Sequence, residues 1–136
     1  MVKYFIAAHG RMASGIKESL NVLLGASDQV DVFDAYVDDS NVEMEIQKRV
    51  EAVDRNDYLV MMSDICGGSV NQIMMRCMDR EKTFLVSGIS LALVVGLVTT
   101  YTESIDEKQI EDVIAQSRDM MFLIKDEAEK EEEGFF

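Results

Sequence analysis

Residues 2–10 read VKYFIAAHG, and residues 58–69 read YLVMMSDICGGS. Each is a nearly unbroken apolar run that stops at a polar residue with glycine close behind. Val2 to Ala8 ends in His9-Gly10, and Tyr58 to Ser63 ends in Asp64-Ile65-Cys66-Gly67-Gly68-Ser69. Apolar runs without polar alternation mark strands covered on both faces, as in parallel sheets. Ligands of open α/β sheets bind at the carboxyl ends of the strands, where both motifs then lie.

Outward from these runs, the periodicity changes to that of helices. Ala13, Ile16, Leu20, Leu23 and Leu24 are helically spaced between Gly10 and Leu24, and Gly25 supplies a stop. Gln29 to Tyr36 reads as a second strand. Ser40-Asn41-Val42-Glu43 has the spacing of a capping box with Ser40 as its N-cap, opening a helix that continues through Ile46, Val50 and Val53. Val70, Ile73, Met74 and Cys77 mark a third helix, Thr83 to Val86 a fourth strand, and Ile89 to about Thr100 another helix.

No charged residue stands between Thr83 and Thr102. Ser87-Gly88, Ser90 and Gly96 interrupt that stretch, so it reads as a strand, a turn and a core helix, not a membrane span. From Asp106, Ile110, Val113, Ile114, Met121 and Ile124 are again helically spaced. Met120 to Ile124 also forms a continuous apolar run suited to an edge strand, and periodicity alone does not choose between the two.

The alternation of strand and helix implies an open three-layer α/β sandwich with a mostly parallel sheet. Its expected strand order is 2-1-3-4, with an edge strand added if Met120 to Ile124 pairs. One domain over residues 1–125 is expected, followed by an acidic tail over 126–136. The formal net charge of −13 opposes nucleic acid and anionic membrane as partners, since both require surplus Lys and Arg. Two cysteines without CxxC spacing, and a start that runs directly into a strand pattern, suggest a cytoplasmic setting.

The chain has one histidine. A zinc site built on several imidazoles, or a histidine pair, therefore has too few ligands, and no metal is implied. With strands one and three as neighbours, His9 and Asp64 meet at the switch point of the sheet. A carboxylate that accepts one ring N–H fixes the tautomer and leaves the other nitrogen free as a nucleophile. Gly67 and Gly68 let consecutive backbone N–H groups face one concavity at a helix start, and Ser69 adds a hydroxyl. Together these make a cradle for phosphate oxygens. Arg11 is an accessory candidate for charge screening. Each feature also has a plain reading: a turn histidine, a capping aspartate, a common Gly-Gly-Ser loop. Cys66 lies in the same loop without an evident resolving partner, and the methionines suit core filling.

The order strand, His9-Gly10, helix ending Leu23-Leu24-Gly25, apolar strand and Asp64-x-x-Gly67-Gly68-Ser69 resembles the IIA component of the mannose/fructose/sorbose class of the sugar phosphotransferase system. The resemblance runs from about Met1 to Thr100. It implies a phosphocarrier in which His9 accepts phosphate from the carrier protein HPr and passes it to a IIB component, with IIC and IID in the membrane. It further implies that Asp64 orients His9, that Ser69 contacts phosphate, and that no organic cofactor takes part. The chain would be a homodimer that can exchange a C-terminal strand, here Met120 to Ile124. The sequence departs from the family at Cys66, where an aromatic residue is usual, at Val70 instead of proline, and at Ser90-Leu91-Ala92 instead of an Asn-x-Pro motif. Two other readings stay open: the phosphocarrier subunit of a dihydroxyacetone kinase system, whose loop is the tighter Asp-x-Gly-Ser, and a non-catalytic module binding an anion or a partner in the same cleft.

Overall fold

The computed structural model describes residues 1–125. In chain order the elements are β1 (Val2–His9), α1 (Met12–Leu24), β2 (Val30–Ala35), α2 (Val42–Glu51) and β3 (Tyr58–Ser63). They continue with α3 (Ser69–Met75), β4 (Thr83–Ser87), α4 (Leu91–Thr100) and α5 (Glu107–Arg118). The four strands form one sheet in the order β2-β1-β3-β4, and every neighbouring pair is parallel.

Successive side chains of a strand point to opposite faces, and β1 divides the core accordingly. Val2, Tyr4, Ile6 and Ala8 pack with α1, α4 and α5, whereas Phe5 and Ala7 pack with α2 and α3. The central strands β1 and β3 are therefore buried on both faces, which is why their sequences are continuously apolar. The edge strand β2 alternates instead, with Asp31 and Asp34 interrupting its buried positions. The Tyr4 hydroxyl lies 3.0 Å from the Leu97 carbonyl and 2.7 Å from that of Tyr101, fixing the end of α4 to β1. Gly96 stands inside α4 because α5 crosses there: a Cβ at that position would come within 3.0 Å of Val113 Cγ1.

Two sequence expectations are corrected. Ser40 does not cap α2. Asn41 does, its Oδ1 accepting from the Met44 N–H at 3.0 Å, while the Ser40 N–H turns back to Asp38 Oδ1. The Glu43 carboxylate required by a Ser40 box is taken by Arg76 across the α2–α3 contact. A capping box does form at α5, where Asp106 and Gln109 satisfy each other's backbone.

The second correction concerns the end of the fold. α5 stops at Arg118, and Met120 to Ile124 forms neither helix nor strand within this chain. Helices this short owe their stability to the surface they bury. Beyond Arg118 there is none to cover, and Met121 and Leu123 are 82% and 75% exposed. The expected acidic tail, 126–136, lies outside the described residues. Among the described residues no helix is long and apolar enough to cross a membrane.

Candidate active site

β1 ends at His9, and β3 ends one residue before Asp64. Gly10 takes a left-handed backbone (φ 65°) and donates its N–H to the Ala35 carbonyl at 2.9 Å, turning the chain out of the sheet into α1. This leaves His9 at the rim, beside the loop that follows β3. The connection after β1 leaves on the α1 face and that after β3 on the α3 face, so the two residues flank the switch point.

Asp64 binds His9 twice through one oxygen. Oδ2 accepts the main-chain N–H of His9 at 2.9 Å and meets ring Nδ1 at 2.9 Å, while Oδ1 accepts the Ile65 N–H at 3.0 Å. Burial alone would push the Asp64 carboxyl up. The hydrogen bonds from the His9 main chain and ring and the charge of the ring outweigh it, so the group stays below its usual range. An ionised carboxylate only accepts, so Nδ1 carries a proton, and in the neutral ring Nε2 carries the lone pair. The Asp64 side chain is 9% exposed, that of His9 42%. Among the described residues Nε2 has no hydrogen-bond partner.

The glycine-rich loop closes over the other edge of the ring. Gly67 is left-handed (φ 78°), and the Gln72 side chain holds its carbonyl at 2.9 Å. A Cβ on Gly68 would stand 3.6 Å from His9 Cε1 and 3.3 Å from the Ile65 carbonyl oxygen, so a side chain there would fill the space between the loop and the imidazole that glycine leaves open. Gly68 is the N-cap of α3, Ser69 is its first residue, and no side chain caps it. The first N–H groups of the helix thus have no intrahelical acceptor beside the histidine. Arg11 is exposed at the N-cap of α1; among the described residues its side chain has no hydrogen-bond or ion-pair partner, and it does not join this cluster.

Sequence reasoning missed three features here. Tyr36, directly after β2, stacks on the His9 ring with centroids 5.4 Å apart, and its hydroxyl lies 2.7 Å from Ser69 Oγ. Beneath the loop, the buried Asn71 accepts from Ser63 Oγ at 2.7 Å and from Ser87 Oγ at 3.1 Å, tying α3 to the ends of β3 and β4. At the start of α1, Asp34 accepts both the main-chain N–H and the hydroxyl of Ser14. A polar residue within the apolar spacing of α3, and serines ending two apolar strands, were the available signals for the second.

Cys66 is exposed in the loop, and burial pushes the Cys77 thiol up. Among the described residues no group of three or more His, Cys, Asp or Glu is placed to hold a metal ion. A cavity of about 320 Å³ between α2 and α3, lined by Arg55, Arg76 and Arg80, includes none of the site residues.

The sequence model of the family described as "PTS system fructose IIA component" matches residues 3–116. Among curated proteins no sequence matches. The chain is similar to a Klebsiella pneumoniae protein assigned as a phosphoenolpyruvate-dependent sugar phosphotransferase system permease. The two are 27% identical over 90% of each chain, with a TM-score of 0.84. The fold is shared with phosphotransferase system component EIIA from Streptococcus agalactiae: 22% identity, 90% of this chain and 97% of that one, TM-score 0.75. It is shared also with the mannose/sorbose specific IIA subunit from Enterococcus faecalis: 18% identity, 92% and 96% coverage, TM-score 0.76. The chain belongs to the mannose/fructose-type IIA family, and is a component of the sugar phosphotransferase system.

Proposed function

We propose that this chain is a phosphocarrier that takes a phosphoryl group from phospho-HPr onto Nε2 of His9 and passes it to a IIB component. The observation that carries this reading is the double acceptance by Asp64 Oδ2, which leaves one nitrogen of the imidazole uncommitted. In the first half-reaction the Nε2 lone pair attacks phosphorus in line, the bond from phosphorus to the donor nitrogen breaks, and that nitrogen recovers its electron pair. The positive charge that develops on the ring is stabilised by Asp64. In the second, a nucleophile of the acceptor protein attacks phosphorus and the Nε2–P bond breaks. The open N–H groups at the start of α3 and the Ser69 hydroxyl face the transferred oxygens, and Gly67 and Gly68 let the loop come that close.

Both reaction partners are proteins, which suits a histidine at an exposed rim. The setting proposed is the cytoplasm, with IIC and IID in the membrane completing sugar uptake. A homodimer that exchanges Met120 to Ile124 is part of the same reading, supported by the exposure of these apolar residues and by an edge strand, β4, paired on one side only.

The reading is tested by incubating the chain with phosphoenolpyruvate, enzyme I and HPr. The wild type takes up an acid-labile label and His9→Ala does not. Equal labelling of the two, or of neither, would leave only a binding module.

A further inference from the structure

Tyr36 occupies a backbone conformation that tyrosine rarely adopts, left-handed with φ 66°. Such outliers persist where the surroundings over-determine them, and they cluster at functional sites. The surroundings are explicit. β2 ends at Ala35, whose carbonyl accepts the Gly10 N–H, so the residue after β2 and the residue before Gly10 are brought side by side. The left-handed turn then lays the Tyr36 ring over the imidazole of His9 at 5.4 Å, with 29° between the planes. More than half of Tyr36 remains exposed, so core packing does not explain its place.

The far end of the same side chain reaches Ser69 Oγ at 2.7 Å. Either hydroxyl can be the donor of this bond, and because a phenol is a stronger hydrogen-bond donor than an aliphatic alcohol the favoured arrangement has the Tyr36 O–H donating and the Ser69 oxygen accepting. The Ser69 proton is then the one left without a partner on the protein, at the start of α3 and one residue from Gly68, where a Cβ would stand 3.6 Å from His9 Cε1. A hydroxyl that accepts one hydrogen bond is polarised to donate the next more strongly.

We propose that Tyr36 is a positioning residue for phosphoryl transfer: its ring fixes the plane of the His9 imidazole, and its hydroxyl aims the Ser69 proton at the phosphoryl oxygens. This rests on the phosphocarrier reading and goes beyond it. No proton changes hands through Tyr36. The Nε2–P bond forms as the donor's N–P bond breaks, while the Tyr36–Ser69–phosphoryl chain of hydrogen bonds gathers the charge.

The experiment measures initial labelling rates against phospho-HPr concentration for wild type, Tyr36→Phe, Tyr36→Ala, Ser69→Ala and Tyr36→Phe with Ser69→Ala. Tyr36→Phe keeps the stacked ring and removes only the hydroxyl. It is expected to lower the maximal rate about tenfold while leaving KM and the melting temperature unchanged. Tyr36→Ala, losing the ring too, falls further. The double variant is expected to be no slower than Ser69→Ala alone, because both changes break the same chain. A Tyr36→Phe as fast as wild type, or losses that multiply in the double variant, would overturn the inference and leave the phosphocarrier reading standing. A wild type that takes no label would remove both.

Discussion

Oδ2 of Asp64 holds His9 at two points, the main-chain N–H and ring Nδ1, each at 2.9 Å. One atom thereby fixes both the backbone from which the imidazole springs and the tautomer it adopts. The arrangement follows from the sheet: β1 and β3 run parallel in register from Val2 opposite Tyr58 to Ala7 opposite Ser63. β1 then runs on to His9, in register with Ala35 of β2, while β3 stops at Ser63, so on the β3 side the His9 N–H has no strand carbonyl opposite and Asp64 accepts it. A carboxylate at the end of one strand becomes the acceptor for the end of the other.

This contact gives stability a direction with pH. The hydrogen bonds and charge of His9 overcome the effect of burial and hold the Asp64 carboxyl below its ordinary range. A carboxyl lower in the folded than in the unfolded chain adds stability above its unfolded value, about pH 4, and gives it up as pH falls through the folded one. Urea unfolding followed downward from neutral pH should therefore show a wild type that loses stability through this acid range more steeply than Asp64→Asn. Parallel acid limbs in the two proteins would contradict the contact.

Asn71 is expected to matter for both stability and transfer. It is buried and accepts from the hydroxyls of Ser63 and Ser87, which also lie 3.2 Å from each other, so Asn71→Ala removes their shared acceptor and leaves one of the two hydroxyl protons without a partner. The expected cost is about 1–3 kcal/mol in chemical denaturation, with slower labelling because α3 loses its tie to β3 and β4. Replacing all three residues together, as Ser63→Ala, Asn71→Leu and Ser87→Ala, should recover much of the stability, since no polar group is then stranded.

The strand pattern and the meeting of His9 with Asp64 could be read from residues 2–10 and 58–69, because hydrophobic periodicity reports burial on one or both faces directly. What could not be read was local competition. Ser40 and Asn41 are both good N-caps; Asn41 takes the role, while the Ser40 N–H turns back to Asp38 and Glu43 pairs with Arg76, a residue 33 positions away. The helical spacing beyond Arg118 was real but had no surface to bury. Tyr36 looked like one more strand aromatic, since a left-handed turn after β2 leaves no mark in periodicity, and its two contacts come from β1 and α3.

Met121 and Leu123 bear on assembly. Both are exposed in the isolated chain, so Met121→Asp with Leu123→Asp should leave the melting temperature of the monomer unchanged. If a second copy buries them, each is worth about 1.5–3 kcal/mol to the dimer, and the double variant should sediment as a monomer where wild type is a dimer. Unchanged sedimentation of the variant dimer would exclude this segment from the interface.

The most direct measurement is the position of phosphorus on the imidazole. Nitrogen-15 and phosphorus-31 spectra of the chain labelled through HPr distinguish the two phosphohistidines. With Nδ1 committed to Asp64, the account predicts phosphorus on Nε2 of His9, and phosphorus on Nδ1 would contradict it.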